Sequence, residues 1–125
     1  MKILIADDEE LIRSSLDTIL KKGGGFETDF AVDGQEALDK IKAGAFYAAV
    51  LLDLQMPKLD GYQVLRQVRS IHPDLPVIFI TGKSADVKKI EESISRLNLN
   101  GFIEKPFTPN EVLDVISQAM RINKD

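Results

Sequence analysis

Three carboxylates, a hydroxyl and an ammonium are the groups of this chain whose types and spacing could act on one substrate: Asp7-Asp8, Asp53, Thr81 and Lys105. Asp53 closes the apolar run Ala48-Ala49-Val50-Leu51-Leu52, so it reads as an acid carried by a buried strand to the rim of a sheet. A carboxylate held there is poorly solvated and calls for a cation nearby. Several carboxylates at one rim repel each other unless a cation joins them, a cost for which a purely structural core has no use. The chain has no Cys, and its single His, His72, stands far from the acids. Oxygen ligands alone favour a hard divalent ion, most simply Mg²⁺, with Mn²⁺ as a substitute. Such an ion keeps some of its waters and accepts phosphate oxygens, and an aspartate can serve as nucleophile toward a phosphoryl group to give an acyl phosphate. Lys105 suits the role of a point charge on the phosphoryl oxygens, while the Thr81 hydroxyl and the Gly82 amide can donate to them.

Taken singly, each of these residues has an ordinary structural role. Acids such as Asp7-Asp8 commonly precede helices, Thr81-Gly82 can be a strand-ending turn, Asp60-Gly61 reads as a turn, and lysines such as Lys105 are usually solvated. Their joint meaning depends on the elements that carry them. Ile3 to Ala6 is a short apolar strand, followed by Leu11, Ile12, Leu16, Ile19 and Leu20 at helical spacing and a stop at Gly23-Gly24-Gly25. Alternation through Phe26, Thr28, Phe30 and Val32 predicts a second strand. Asp33 then caps a helix, with Glu36 three residues on and Ala37, Leu38 and Ile41 facing inward.

Ala48 to Leu52 is the third strand, and Val64, Leu65, Val68 and Ile71 stripe the helix after it. Pro76 to Thr81 is the fourth strand, Ile90, Ile94 and Leu97 mark the inner face of a more polar helix, and Gly101 to Glu104 is the fifth strand. The last helix starts with Thr108 as cap, Pro109 at its first position and Glu111 completing a capping box, ahead of Val112, Leu113, Val115, Ile116 and Met120. Five strand–helix units without long linkers predict an α/β, doubly wound parallel sheet with helices on both faces. In such a sheet ligands bind outside the carboxyl ends of the strands. Asp7-Asp8, Asp53, Thr81 and Lys105 all follow or end strands at that rim.

The length of 125 residues, 44% of them hydrophobic, predicts a single domain spanning residues 1–125. No apolar run approaches the ~20 residues of a membrane span, and the start turns acidic too early for a signal peptide, so a cytoplasmic location is the default. Twenty acidic against sixteen basic residues give a net charge of -4, which argues against a general electrostatic hold on nucleic acid or anionic lipid.

The chain resembles, over essentially its whole length, the receiver domain of bacterial two-component response regulators. The resemblance is carried by Asp7-Asp8, Asp53-Leu54-Gln55-Met56-Pro57-Lys58-Leu59-Asp60-Gly61, Thr81-Gly82 and Phe102-Ile103-Glu104-Lys105-Pro106-Phe107. It implies a flavodoxin-like sheet of order 2-1-3-4-5 with five helices, and a phosphorelay function. Asp53 would accept a phosphoryl group from a sensor histidine kinase or a histidine phosphotransfer protein. Mg²⁺ would be held by Asp8, Asp53 and the Gln55 backbone carbonyl, with Asp7 acting directly or through water. Lys105 would neutralise the phosphoryl group and Thr81 would move toward it. Phe102, where the family often has Tyr, would change its burial and alter the surface of the fourth helix, fifth strand and fifth helix. That face becomes the first candidate for contact with an output domain, a target protein or a phosphorylation-dependent dimer partner.

The resemblance further implies a cis Lys105-Pro106 bond, and it places Gln55, Gly82 and Lys83 where family members tune phosphate lifetime. Asn98-Leu99 stands where a Gly-Ala pair is common, and Asn can take the left-handed cap conformation there. Such a protein catalyses only its own phosphorylation and slow hydrolysis and is not a conventional enzyme. Two other functions compete. An aspartyl-phosphate hydrolase acting on external phosphomonoesters is disfavoured because Gln55, rather than an acid, follows Asp53 at two residues. A flavin- or nucleotide-binding module of flavodoxin-like topology is disfavoured because the loop after the first strand is acidic.

Overall fold

In the computed structural model, which describes residues 1–82 and 86–122, five strands and five helices alternate along the chain. They are β1 (Lys2–Ala6), α1 (Glu10–Gly24), β2 (Glu27–Ala31), α2 (Gly34–Lys42), β3 (Ala49–Asp53), α3 (Gly61–Ile71), β4 (Val77–Thr81), α4 (Val87–Leu97), β5 (Gly101–Glu104) and α5 (Pro109–Ile122). All strand pairings are parallel, and the sheet order is β2-β1-β3-β4-β5.

Between Lys2, which opens β1, and Asp53 and Thr81, which end β3 and β4, the inner strands are apolar because each of their two faces is covered. Leu4, Val50, Leu52, Val77 and Phe79 enter one core beneath α2, α3 and α4. Their neighbours Ile3, Ile5, Leu51, Ile78 and Ile80 enter a second core with Leu16 and Leu20 of α1 and Val112, Ile116 and Ala119 of α5. This alternation also explains β5: Ile103 enters the second core, so the adjacent Phe102 projects from the opposite face.

Local chemistry sets most helix ends. Asp33 accepts from the Glu36 amide at 2.7 Å, and Thr108 Oγ1 accepts from the Glu111 amide at 3.2 Å. Asp60, expected as a turn residue, is the N-cap of α3 and forms a reciprocal capping box with Gln63. The D-x-x-Q spacing carried that signal. Asn98 closes α4 in the left-handed conformation with φ 51, as its place after that helix led us to expect.

Several apolar residues of these patterns lie at the surface, and Ile94, expected on an inner face, is among them. Phe30 and Val32 are exposed, because β2 is an edge strand and its innermost residue is Ala31 on the opposite face. Ile71, in the last turn of α3, lies beyond the sheet's cover and is exposed. In α4 it is Ser93 that is buried and Ile94 that is exposed; Ser93 satisfies its hydroxyl on the Lys89 carbonyl at 2.9 Å.

Two glycines allow close approaches at the loop after β3, Gly34 where that loop meets the start of α2 and Gly61 where α3 begins beside the end of β3. A Cβ on Gly34 would fall 2.0 Å from the Leu59 carbonyl oxygen, and one on Gly61 would fall 2.9 Å from the Asp53 carbonyl oxygen. Gly34→Ala is therefore expected to destabilise the protein by about 1–3 kcal/mol in urea unfolding, since backbone rather than a flexible side chain must yield.

Candidate functional site

The carboxyl ends of β1, β3 and β4 and the residue after β5 meet at one edge, as the strand order requires. Asp7 follows β1, and its amide donates to the Ala31 carbonyl at 3.1 Å. Asp53 ends β3, and the next residue, Leu54, donates its amide to Ile80 at 3.2 Å. Lys105 follows β5, with its amide on the Thr81 carbonyl at 2.8 Å. These backbone hydrogen bonds fix the roots of the three side chains before the side chains interact.

Asp7 and Asp53 are buried and Asp8 is exposed, and one carboxylate oxygen from each lies within 4.8 Å of the others. Lys105 Nζ is 3.2 Å from Asp7 Oδ2, 3.1 Å from Glu9 Oε1 and 3.8 Å from Asp53 Oδ2. Asp7 Oδ1 accepts from the Glu9 amide at 2.9 Å, and Asp53 Oδ1 accepts from the Gln55 amide at 3.3 Å. Asp7 Oδ2, by contrast, is buried and has no aligned hydrogen-bond donor, so its contact with Lys105 is an ion pair only.

The electrostatics follow from crowding and burial. Burial first, then the neighbouring Asp7 charge, raise the Asp53 carboxyl to about 6, with Asp8 adding to the effect and Lys105 and the Gln55 amide opposing it. Burial also raises Asp7 above the usual carboxylate range, against the Glu9 amide and Lys105. Desolvation pulls Lys105 down, but the hydrogen bond to Glu9 and the charges of Asp53 and Asp7 outweigh it, so its ammonium is held more tightly than usual.

The donor set suits a hard divalent cation. Every side-chain ligand is a carboxylate, and the undonated Asp7 Oδ2 offers a lone pair that an ion would satisfy. A cleft of 660 Å³ opens over the cluster, bordered by Gln55, Tyr62, Gly82 and Lys89. A phosphate-sized group fits in this space.

The structure thus gathers Asp8, Asp53, Gln55, Gly82 and Lys105 around one cleft, with the buried Asp7 completing the carboxylate cluster beneath it. Thr81 is buried at the same edge, with its hydroxyl directed to the Ile103 carbonyl at 3.5 Å. Phe102 stands apart from the cluster, 46% exposed on the α4–β5–α5 side, which rules out a role as a core aromatic. The Lys105-Pro106 bond is cis. Lys83 lies outside the described residues.

Two contributors escaped the sequence reading. Glu9 gives Lys105 its hydrogen-bonded partner, and Arg13 donates to the Asp7 carbonyl at 2.9 Å. Neither residue has a sequence signal of its own, because both contacts depend on how α1 leaves the sheet.

With this geometry in place, comparison with known proteins is decisive. The family model of the response regulator receiver domain matches residues 3–117. The chain belongs to this family. It is 36% identical over 126 aligned positions to the response regulator MprA of Mycobacterium avium (strain 104), covering 99% of this chain and 53% of that protein. It is 35% identical over 113 positions to the transcriptional regulatory protein DltR of Streptococcus agalactiae serotype III (strain NEM316), covering 90% and 49%. The chain therefore spans about half the length of the curated relatives it matches.

Among solved structures, a response regulator receiver domain protein from Clostridium thermocellum superposes with a TM-score of 0.89 at 28% identity, covering 98% of this chain and 96% of that one. NtrX from Brucella abortus superposes with a TM-score of 0.87 at 34% identity, covering 98% and 27%. The receiver fold, flavodoxin-like with order 2-1-3-4-5, is thus the fold of this chain. Receiver domains serve two-component signalling, are phosphorylated on an aspartate and generally bind Mg²⁺ at an acidic pocket; they are generally signalling modules. Among the described residues no helix is long and apolar enough to cross a membrane.

Proposed function

We propose that residues 1–125 form one receiver domain that accepts a phosphoryl group on Asp53 from a histidine kinase or histidine phosphotransfer protein in the cytoplasm, in a Mg²⁺-dependent reaction. The observation that carries this reading is the state of Asp53: a buried carboxylate raised to about 6, fixed at a strand end under an open cleft, with an ammonium 3.8 Å away. Asp7, Asp8, Asp53 and the Gln55 carbonyl would hold the ion, which when bound neutralises carboxylate and phosphoryl oxygens.

Asp53 attacks phosphorus with one carboxylate oxygen. As that P–O bond forms, the P–N bond of the donor phosphohistidine breaks, and the imidazole leaves with the bonding pair and takes up a proton. Lys105 supplies positive charge to the phosphoryl oxygens. The Gly82 amide can donate to them, and the Thr81 hydroxyl would exchange the long contact with Ile103 for the phosphoryl group. Gln55, Gly82 and Lys83 would tune water access, and hence the lifetime of the acyl phosphate. Withdrawal of the Thr81 hydroxyl from β5 would shift Phe102 and the α4–β5–α5 face that meets an output domain or target. The exposure of Phe102 in the present state leaves it room to bury.

Acetyl phosphate with Mg²⁺ is expected to add one phosphoryl group to the wild-type protein, seen by intact mass spectrometry and mapped to Asp53. Asp53→Ala should remove that label. Label that persists at its wild-type level in Asp53→Ala would refute the assignment, and steady release of phosphate from varied phosphomonoesters would point to a hydrolase instead.

A further inference from the structure

Lys105 is closer to Glu9 and Asp7 than to Asp53, at 3.1, 3.2 and 3.8 Å. Of these contacts only the one with Glu9 is a hydrogen bond, since Asp7 Oδ2 has no aligned donor and Asp53 lies beyond hydrogen-bonding reach. Glu9 occupies the N-cap position of α1, yet its side chain does not cap the helix. The Glu9 side chain is 61% exposed, and Lys105 is the one polar contact of its carboxylate among the described residues. A capping position has thus been given to an acid that ignores the cap and reaches for a lysine 96 residues away.

We propose that Glu9 is a positioning residue: it holds the Lys105 ammonium in a resting pose and competes with the phosphoryl group for it. This rests on the reading of Asp53 as phosphoacceptor. Lys105 carries a compact charge on a flexible stem, so it can change partners without moving the backbone. A phosphoryl group on Asp53 brings a charge of about -1.5 to -2, enough to draw Lys105 across the short gap. Glu9, being exposed, rehydrates readily when released, so the pair acts as a weak reversible latch rather than a lock. Neutralising Glu9 removes one competitor for the ammonium and lowers the cost of transfer to the phosphoryl oxygens.

The test is a double-mutant cycle read by the initial rate of acetyl phosphate labelling in Mg²⁺. Glu9→Gln should label about two- to fivefold faster than wild type, the range an exposed ion pair allows. Glu10→Gln, which removes the same charge one residue further along α1, should label at the wild-type rate. In a Lys105→Met background the effect of Glu9→Gln should vanish, because the competition acts only through that ammonium. An unchanged or slower rate in Glu9→Gln, an equal acceleration in Glu10→Gln, or an acceleration that survives Lys105→Met would overturn the latch. A labelled wild type with an unmoved Glu9→Gln refutes the latch alone. A wild type that melts cooperatively but takes no label refutes the phosphoacceptor reading and the latch with it.

Discussion

In metal-free buffer near neutral pH, Asp53→Asn is expected to be more stable than the wild-type protein by about 2–3 kcal/mol, which for a domain of this size raises the melting temperature by roughly 10 °C. The ionised Asp53 carboxylate is destabilising in the folded state: its pKa is raised from 3.8 to about 6 by burial and the Asp7 charge. Asn keeps the shape and can still accept from the Gln55 amide, but it carries no charge. The sign fixes the pH profile. Between about 4 and 6 the folded protein binds more protons at this site than the unfolded chain, so stability falls as pH rises through that window and then levels off. Asp17 and Asp29 work in the opposite sense, since their pKa values are lowered and their contribution is lost only below 3.8. The two windows are separate. Asp53→Asn should therefore reduce the fall between about pH 4 and 6, with the raised Asp7 keeping a share of it, and leave the acid limb in place. A wild type that is no less stable at pH 7 than at pH 5, with Asp53→Asn following the same curve, would show that the cluster does not raise this carboxyl.

Lys105→Met should have the largest destabilising effect of a single side-chain change at the site. It leaves Asp7, which is fully buried, and Asp53 without their cation. Breaking a fully buried pair costs 3–5 kcal/mol; because Lys105 keeps 21% of its exposure, about 2–3 kcal/mol is expected in metal-free buffer. The loss should grow as pH rises toward neutrality, since the carboxylates then ionise with nothing opposite them. Mg²⁺ provides the internal check. At a hundred times its dissociation constant, an ion that binds only the folded state stabilises it by about 2.7 kcal/mol. Mg²⁺ should thus raise the melting temperature of the wild type and recover most of the loss in Lys105→Met, while Asp8→Asn weakens the Mg²⁺ shift. Calorimetric melts with and without the ion read all three. If saturating Mg²⁺ moves none of them, the clustered carboxylates do not act as a cation site.

The sequence by itself determined the elements and the rim. Unbroken apolar runs such as Val50-Leu51-Leu52 demand cover on both faces of a strand, and caps such as Asp33 and Thr108 act within three residues, so both are readable from neighbours along the chain. The placement of acids and a lysine after strand ends then brings Asp7, Asp8, Asp53 and Lys105 to one edge, because parallel strands share a direction. Only the tertiary structure decided which groups touch and how well each is covered. Periodicity marks Phe30, Ile71 and Ile94 as apolar but cannot show that an edge strand, a helix end and a buried Ser93 beside Ile94 leave them uncovered. The raised pKa of Asp53 depends on desolvation and distances of a few ångströms, and the Glu9–Lys105 pair joins residues at nearly opposite ends of the chain. These are long-range effects with no local pattern to announce them. The chemistry available to this protein was thus legible in its residues, whereas the balance of charges that tunes it exists only once the chain has folded.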